Sequence, residues 1–339
     1  MKILVTGGLG YIGSHTVVEL QNAGHQIVIL DNLSNSQASV LNALEDLCER
    51  RIPFYKADIT EPASMKPVFE KESGIEGIIH FAAKKSVPES LQMPVTYYEN
   101  NIAGLVNVMR MVKDYAVPYF VFSSSCTVYG QPDKVPVTEA TPTTSSPTPY
   151  GNSKLWAEQM ITEFTKLVPD VKSVLLRYFN PVGAHESAKI GELPRGIPGN
   201  LMPFITQTAA GWRDELKVFG KDYNTPDGTC IRDFIHVVDL ARAHVTALEY
   251  AAENDISTEV FNVGTGNGHS VYEVVQSFER ATGEKLAYAF AERRPGDVEQ
   301  IWADTAKVSK LLSWTPEYNL DDMSRTAWEW QKKLGGKPR

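Results

Sequence analysis

Lys2-Ile3-Leu4-Val5-Thr6-Gly7-Gly8-Leu9-Gly10-Tyr11-Ile12-Gly13 decides the fold of this chain. Lys2–Thr6 reads as a buried strand that glycines stop at once. A helical pattern follows, with apolar Ile12, Val17, Val18 and Leu20, and Gly24 ends it. Residues 27–30 form the next strand pattern, closed by Asp31. Glycines at 7, 10 and 13 permit a tight strand-to-helix turn. They also let backbone N–H groups approach a pyrophosphate at the helix N-terminus. A glycine pattern by itself is equally a tight turn. The strand before it and the helix after it are the context that makes it a Rossmann-type dinucleotide site. Asp31 can accept from adenosine ribose hydroxyls and repels a 2′-phosphate. No Lys or Arg follows before Arg50, so the reading is NAD.

Outward from this unit, strand patterns recur near Phe54 and at 77–80, 119–122 and 173–176. Helical patterns lie between them, notably at 101–115 and 151–167. The alternation predicts an α/β fold: a Rossmann-type, doubly wound parallel sheet with a smaller C-terminal α/β substrate lobe. Residues 181–199 read as a long Gly- and Pro-rich loop, a type that is usually functional. A helix from Leu201, a strand at 217–219, a helix near 239–252 and a last helix near Trp328 follow. The expected division is 1–180 for NAD and 181–339 mainly for substrate, with part of 233–264 returning to the first domain. No low-complexity linker separates the two, which predicts close packing around a cleft.

Composition narrows the function. Of 339 residues, 42% are hydrophobic and 22% charged, as in ordinary globular proteins. The net charge of −8 contains no Lys/Arg block, which argues against nucleic acid but leaves room for an anionic ligand held by a few arginines. No run approaches the ~20 apolar residues of a membrane span, and no secretory pattern is read. Cys48, Cys126 and Cys230 and the seven histidines show no metal-ligand spacing, so no metal and a cytoplasmic location are expected.

Tyr150 and Lys154 stand four residues apart, after Thr148 as a plausible helix cap and Pro149 in the first turn. That spacing puts both on one helix face. A nearby ammonium favours the phenolate, and moving a tyrosine from about 10 to near 7 needs about 4 kcal/mol. Tyr150 is the candidate general acid/base. A surface Tyr–Lys pair is the plain alternative. Ser123-Ser124-Ser125 leaves an apolar strand at the end that borders the ligand crevice. Ser125 is a candidate donor to the reacting hydroxyl, or equally a turn-capping serine.

Together these residues resemble an extended short-chain dehydrogenase/reductase. Longer runs resemble the UDP-glucose 4-epimerase family: residues 31–35 (DNLSN), 80–83 (HFAA), 176–184 (LRYFNPVGA), 227–237 (DGTCIRDFIHV), 293–297 (RRPGD) and 302–304 (WAD). The resemblance implies interconversion of UDP-galactose and UDP-glucose. Tyr150 would take the proton of the sugar 4-hydroxyl while tightly bound NAD takes the hydride. The keto sugar would turn in the cleft before both are returned. By the same resemblance Lys154 lowers the Tyr150 pKa and binds the nicotinamide ribose, and Ser125 aligns the hydroxyl. Tyr11, Ile12, Asn32, Asn35, Ser36, Asp58, Ile59, Phe81, Ala82, Ala83, Lys85, Asn100 and Phe179 carry over as cofactor contacts. Asn180, Asn200 and Leu201 carry over as substrate contacts, with Lys85 shared. Arg232 and Arg294 suit the diphosphate because guanidinium forks match its oxygens. Asp297 would meet the uridine ribose. Lys217, Val218 and Phe219 would line the uracil pocket, Phe219 as a stacking face. Ile301 stands where a large side chain restricts the enzyme to plain hexoses and a small one admits N-acetyl sugars, so side activity on UDP-N-acetylhexosamines stays open. The family also implies a homodimer, with the 101–115 and 151–167 helices either pairing with a second copy or packing on the sheet. A 4,6-dehydratase is the rival enzyme. It needs an acid beside the catalytic Ser/Thr, where this chain has Cys126 and Thr127. A non-catalytic NAD-binding protein is the rival class, and Ser125, Tyr150 and Lys154 together argue against it.

Overall fold

Six parallel strands come first: β1 (Lys2–Thr6), β2 (Gln26–Asp31), β3 (Phe54–Lys56), β4 (Gly77–His80), β5 (Tyr119–Ser123) and β6 (Lys172–Tyr178). They are near-continuous apolar runs because both sheet faces are covered by helices. The remaining strands are β7 (Asn180–Val182), β8 (Leu216–Phe219), β9 (Ile231–His236), β10 (Thr258–Val263), β11 (Gly268–Ser270), β12 (Tyr288–Ala291) and β13 (Gln300–Ile301). The computed structural model describes residues 1–294 and 296–336.

The main sheet has the order β10-β6-β5-β4-β1-β2-β3, parallel throughout. From β1 the chain steps outward to β3, then restarts on the other side at β4. The loops leaving β1 and β4 therefore diverge, and a crevice opens at their carboxyl ends. Alternation along each strand sends Ile3, Val5, Ile29 and Ile79 to one face with Leu240, Leu248 and Phe261. Leu4, Val28 and Ile78 go to the other face with Leu105, Met111 and Ile161. Each such side chain contributes about 1.5–3 kcal/mol when fully buried.

The second lobe has β7, β11 and β13 around β9, with β8 and β12 paired apart. Helices Leu201–Ala209, Val271–Thr282 and Leu320–Leu334 close over Met202, Val274, Phe278, Met323 and Trp328. From β9 the chain crosses back. Helix Val237–Glu253 lies against helix Tyr11–Asn22 through Arg242–Glu19 at 3.2 Å, and β10 pairs with β6 as the edge of the first sheet.

Two stretches differ from the sequence reading. The helix expected from 101 starts as a π-turn, Glu99–Ala103, and becomes α-helical over Gly104–Asp114. The loop at 181–199 is more anchored than its composition suggests. It begins inside β7 and carries an Ala184–Gly191 bridge. A Cβ on Gly191 would lie 2.5 Å from Trp330, whose Nε1 donates to the Glu192 carbonyl at 3.0 Å.

Candidate active site

The crevice floor is the turn from β1 into helix Tyr11–Asn22. Gly7 has φ +72°, and a Cβ there would lie 2.8 Å from Ala82 N, in the loop after β4. A Cβ on Gly13 would lie 2.3 Å from the Gly7 carbonyl oxygen. Gly10 caps the helix without a side-chain bond, which leaves first-turn N–H groups for an anion. This cradle fits a dinucleotide pyrophosphate. Asp31 spans it: Oδ2 accepts from Leu9 N at 3.1 Å, and Oδ1 accepts from Leu33 N and the Ser36 hydroxyl at 2.8 and 2.7 Å. Asn32 donates to Asp58 at 2.8 Å, and Asn35 is exposed at the rim. Burial raises the Asp58 pKa, but hydrogen bonds from Thr60 and Asn32 bring it below the usual carboxylate range. Ile59 sits beneath Gly104. Ile12 packs on the core, and the Tyr11 hydroxyl donates to the Gly183 carbonyl at 2.7 Å. Phe81 packs against His244 at 4.6 Å, and Ala82 and Ala83 continue that loop.

The inner corner collects Ser125, Tyr150 and Lys154, each no more than 6% exposed. Thr148 caps helix Pro149–Leu167 by accepting from Gly151 N, and Pro149 occupies its first turn. Ser125 caps the turn Cys126–Tyr129 by accepting from Thr127 N, and the same side chain stands at the inner corner. The electrostatics correct one expectation. Burial pushes the Tyr150 phenol well above its ordinary value, Tyr178 beside it adds to this, and Ser125 works the other way. Lys154 does not turn its ammonium to that phenol. Its Nζ donates to the Ser123 carbonyl at 2.7 Å and lies 4.8 Å from the Phe122 ring centre. Burial lowers the Lys154 pKa to about 8, with Glu158 pulling it back up. An i, i+4 spacing fixes the shared face, not where a long side chain ends.

Between the lobes, Lys85 Nζ donates to Glu192 at 2.9 Å, and Asn200 donates to the same carboxylate oxygen at 2.7 Å. Asn200 caps the helix that starts at Leu201. Asn180 opens β7, opposite Phe234 in β9. Phe179 and Ile301 are buried in one cluster with Leu155, and Ile301 pairs in register with Arg232. The Arg232 guanidinium donates to the Ile231 and Glu299 carbonyls.

The outer end holds Phe219, Arg294 and Asp297. The Arg294 guanidinium lies 5.7 Å from the Phe219 ring centre and donates to Asp297 at 2.7 Å. Pro295 of that run lies outside the described residues. Strand alternation separates the three residues assigned to the uracil pocket. Lys217 and Phe219 face out, with Lys217 paired to Glu215, whereas Val218 is fully buried in the second lobe's core. Its side chain therefore cannot line that pocket.

Residues without a local sequence signal also enter. Glu192 joins Lys85 to Asn200. Arg195 crosses from the second lobe to the Leu33 and Ser36 carbonyls at 3.1 and 2.7 Å. Asn101, next to the expected Asn100, brackets Lys84 through both its N–H and its C=O, and donates to Ser153. Asn100 itself donates to Asn101 at 2.9 Å. Among the described residues there is no group of three or more His, Cys, Asp or Glu placed to hold a metal, and no helix long and apolar enough to cross a membrane.

Comparison with known proteins places this geometry. Residues 4–327 match the family model described as GDP-mannose 4,6 dehydratase. The chain is 48% identical over 331 residues to a UDP-glucose 4-epimerase of Bacillus subtilis (strain 168), covering 98% of this chain and 97% of the relative. A UDP-glucose 4-epimerase structure from Stenotrophomonas maltophila, with bound NAD and formylated UDP-arabinopyranose, superposes with a TM-score of 0.96 at 45% identity over 98% of both chains. One from Bifidobacterium longum, with NAD+ and UDP, gives 0.95 at 43% identity, again over 98% of both.

Proposed function

The chain belongs to the UDP-glucose 4-epimerases, and from that premise we propose that it interconverts UDP-galactose and UDP-glucose at Tyr150 with NAD held throughout the cycle. The carrying observation is the convergence of buried Ser125, Tyr150 and Lys154 beside a glycine cradle that has no room for side chains at Gly7 and Gly13. NAD, when bound, supplies the hydride acceptor and donor for sugar carbon 4. Tyr150 takes the 4-hydroxyl proton and later returns it, and Ser125 aligns that hydroxyl. The phenol alone is too weak an acid, so the bound state must add positive charge at the inner corner. Lys154 keeps the floor of that corner in place through the Ser123 carbonyl and is positioned for the nicotinamide ribose.

The cofactor is assigned to Gly7, Gly10, Gly13, Tyr11, Ile12, Asp31, Asn32, Asn35, Ser36, Asp58, Ile59, 81–83, Lys85, Asn100 and Phe179. Residues 1–180 with the returning 237–263 make the cofactor domain, and the rest holds the nucleotide sugar. Arg232 and Arg294 take the diphosphate, Asp297 the ribose, and Phe219 the uracil. For Arg294, binding means giving up Asp297, a partly exposed pair of small worth. A dehydratase is disfavoured because Cys126 and Thr127 follow Ser125 and neither supplies the carboxylic acid that reaction needs.

Exposed Leu91 and Val95 lie on short helices packed against Pro149–Leu167, which itself exposes Trp156, and a second copy of the chain would cover them. Three free cysteines suit a reducing cytoplasm.

The test is a coupled assay on UDP-galactose without added NAD. UDP-glucose production supports both the reaction and the retained cofactor; bound NAD with no turnover defeats the reading. UDP-N-acetylglucosamine turnover by the parent and by Ile301→Tyr checks the 2-substituent pocket. Equal acceptance by both removes Ile301 from that role.

A further inference from the structure

Behind the inner corner lies an ion pair that the proposed chemistry does not use. Arg177 of β6 and Glu158 of helix Pro149–Leu167 are 7% and 5% exposed. Arg177 donates to both Glu158 oxygens, from Nε at 3.0 and 3.1 Å and from NH2 at 2.6 Å. Its remaining nitrogen reaches the Tyr129 hydroxyl at 3.1 Å and the Glu139 carbonyl at 3.3 Å. Tyr129 in turn donates to Asn262 of β10 at 2.6 Å. All three guanidinium nitrogens are engaged.

A buried ion pair is a poor source of stability, because desolvation offsets most of the attraction. This one lies behind the inner corner, one residue from Ser125 through its bond to Ser124. Glu158 stands one helical turn after Lys154. Its Oε1 also accepts from the Ser124 hydroxyl at 2.5 Å. Ser124 is next to Ser125, and the preceding residue, Ser123, provides the carbonyl that holds Lys154.

We propose that Glu158, clamped by Arg177, is a positioning residue for the acid/base corner, fixing the Ser123–Ser125 turn through Ser124 and holding the Lys154 ammonium by its charge. The proposal rests on the assignment of Ser125, Tyr150 and Lys154 above. Glu158 is the charged group that acts on Lys154. His80 from β4 and His244 from helix Val237–Glu253 also face it, but burial lowers them to about 3 and about 4, so both are neutral near pH 7. Burial raises Tyr97, Cys126, Tyr150 and Tyr178, so these also stay neutral there. Burial lowers Lys154 to about 8 and the Glu158 charge works against that fall, so the ammonium persists at neutral pH.

The experiment is the pH profile of kcat on UDP-galactose for the parent, Glu158→Gln, Glu158→Gln/Arg177→Met and Ser124→Ala. Glu158→Gln removes the anion, so loss of activity on the alkaline side should begin about one unit lower. The double variant removes the pair together, so no buried arginine is stranded, and its alkaline loss should also move down. Ser124→Ala leaves the charge pair intact. It should lower kcat about tenfold with KM and the alkaline limb unchanged. A merely structural pair would lower melting temperature and leave the limb where it is. An unmoved limb in folded, active Glu158→Gln or in the double variant overturns the proposal. An inactive parent would instead overturn the epimerase reading.

Discussion

The inner corner and the outer end of the cleft are built on opposite terms. Ser125, Tyr150 and Lys154 are buried, the Lys154 ammonium is tied to the Ser123 carbonyl and Ser125 to Thr127 N, and a buried ion pair lies behind them. Phe219, Arg294 and Lys217 stand on exposed strands and turns, and their partners Asp297 and Glu215 are near neighbours in sequence. The first arrangement cannot change without cost, since unpaired buried charges are destabilising by several kcal/mol. The second can exchange partners cheaply, because exposed pairs contribute about 0–1 kcal/mol. Proton transfer requires fixed geometry, whereas recognition requires cations free to leave their partners.

Four substitutions test that contrast. Tyr150→Phe should reduce kcat by about 10³-fold or more with little change in melting temperature. Turnover near the parent level would show that the corner's rigidity serves something other than proton transfer. Gly13→Ala should follow, because its methyl would collide with the Gly7 carbonyl. NAD retention after gel filtration, read by absorbance and by fluorescence on reduction, should weaken at least about thirtyfold, or about 2 kcal/mol. Full retention would show that the crevice floor yields like the outer end. Arg294→Ala should raise KM about tenfold and leave kcat almost unchanged, as loss of one charge-assisted contact predicts. A fall in kcat instead would make Arg294 part of the chemistry. Lys217→Ala should alter KM by about twofold at most, within the worth of an exposed pair. A larger rise would assign its ammonium to the nucleotide.

Legibility follows the same divide between local and distant contacts. The glycine turn was readable because strand, turn and helix are consecutive, and Pro149 with Thr148 announced helix Pro149–Leu167 in the same way. Asp31 was readable as the end of β2. Glu192, Arg195 and Asn101 were not, because each makes a defining contact across 17 residues or more and no periodicity marks such a contact. Glu158 and Arg177 are 19 apart, and only folding shows that both are buried. Of three neighbours given to one pocket, the strand turns the Val218 side chain inward, which leaves only its backbone on the side of Lys217 and Phe219. Lys154 was placed on the correct face, but the Ser123 carbonyl, 31 residues away, captured its ammonium.

The return of Thr258–Val263 to the edge of the first sheet bears on how the chain is made. A ribosome would have released residues 1–180 long before the strand that covers β6 emerged. Until then β6 would present an open edge, the kind of template that pairs with other chains. A gene truncated at 180 would therefore be expected to give an aggregation-prone product instead of an independent NAD-binding module.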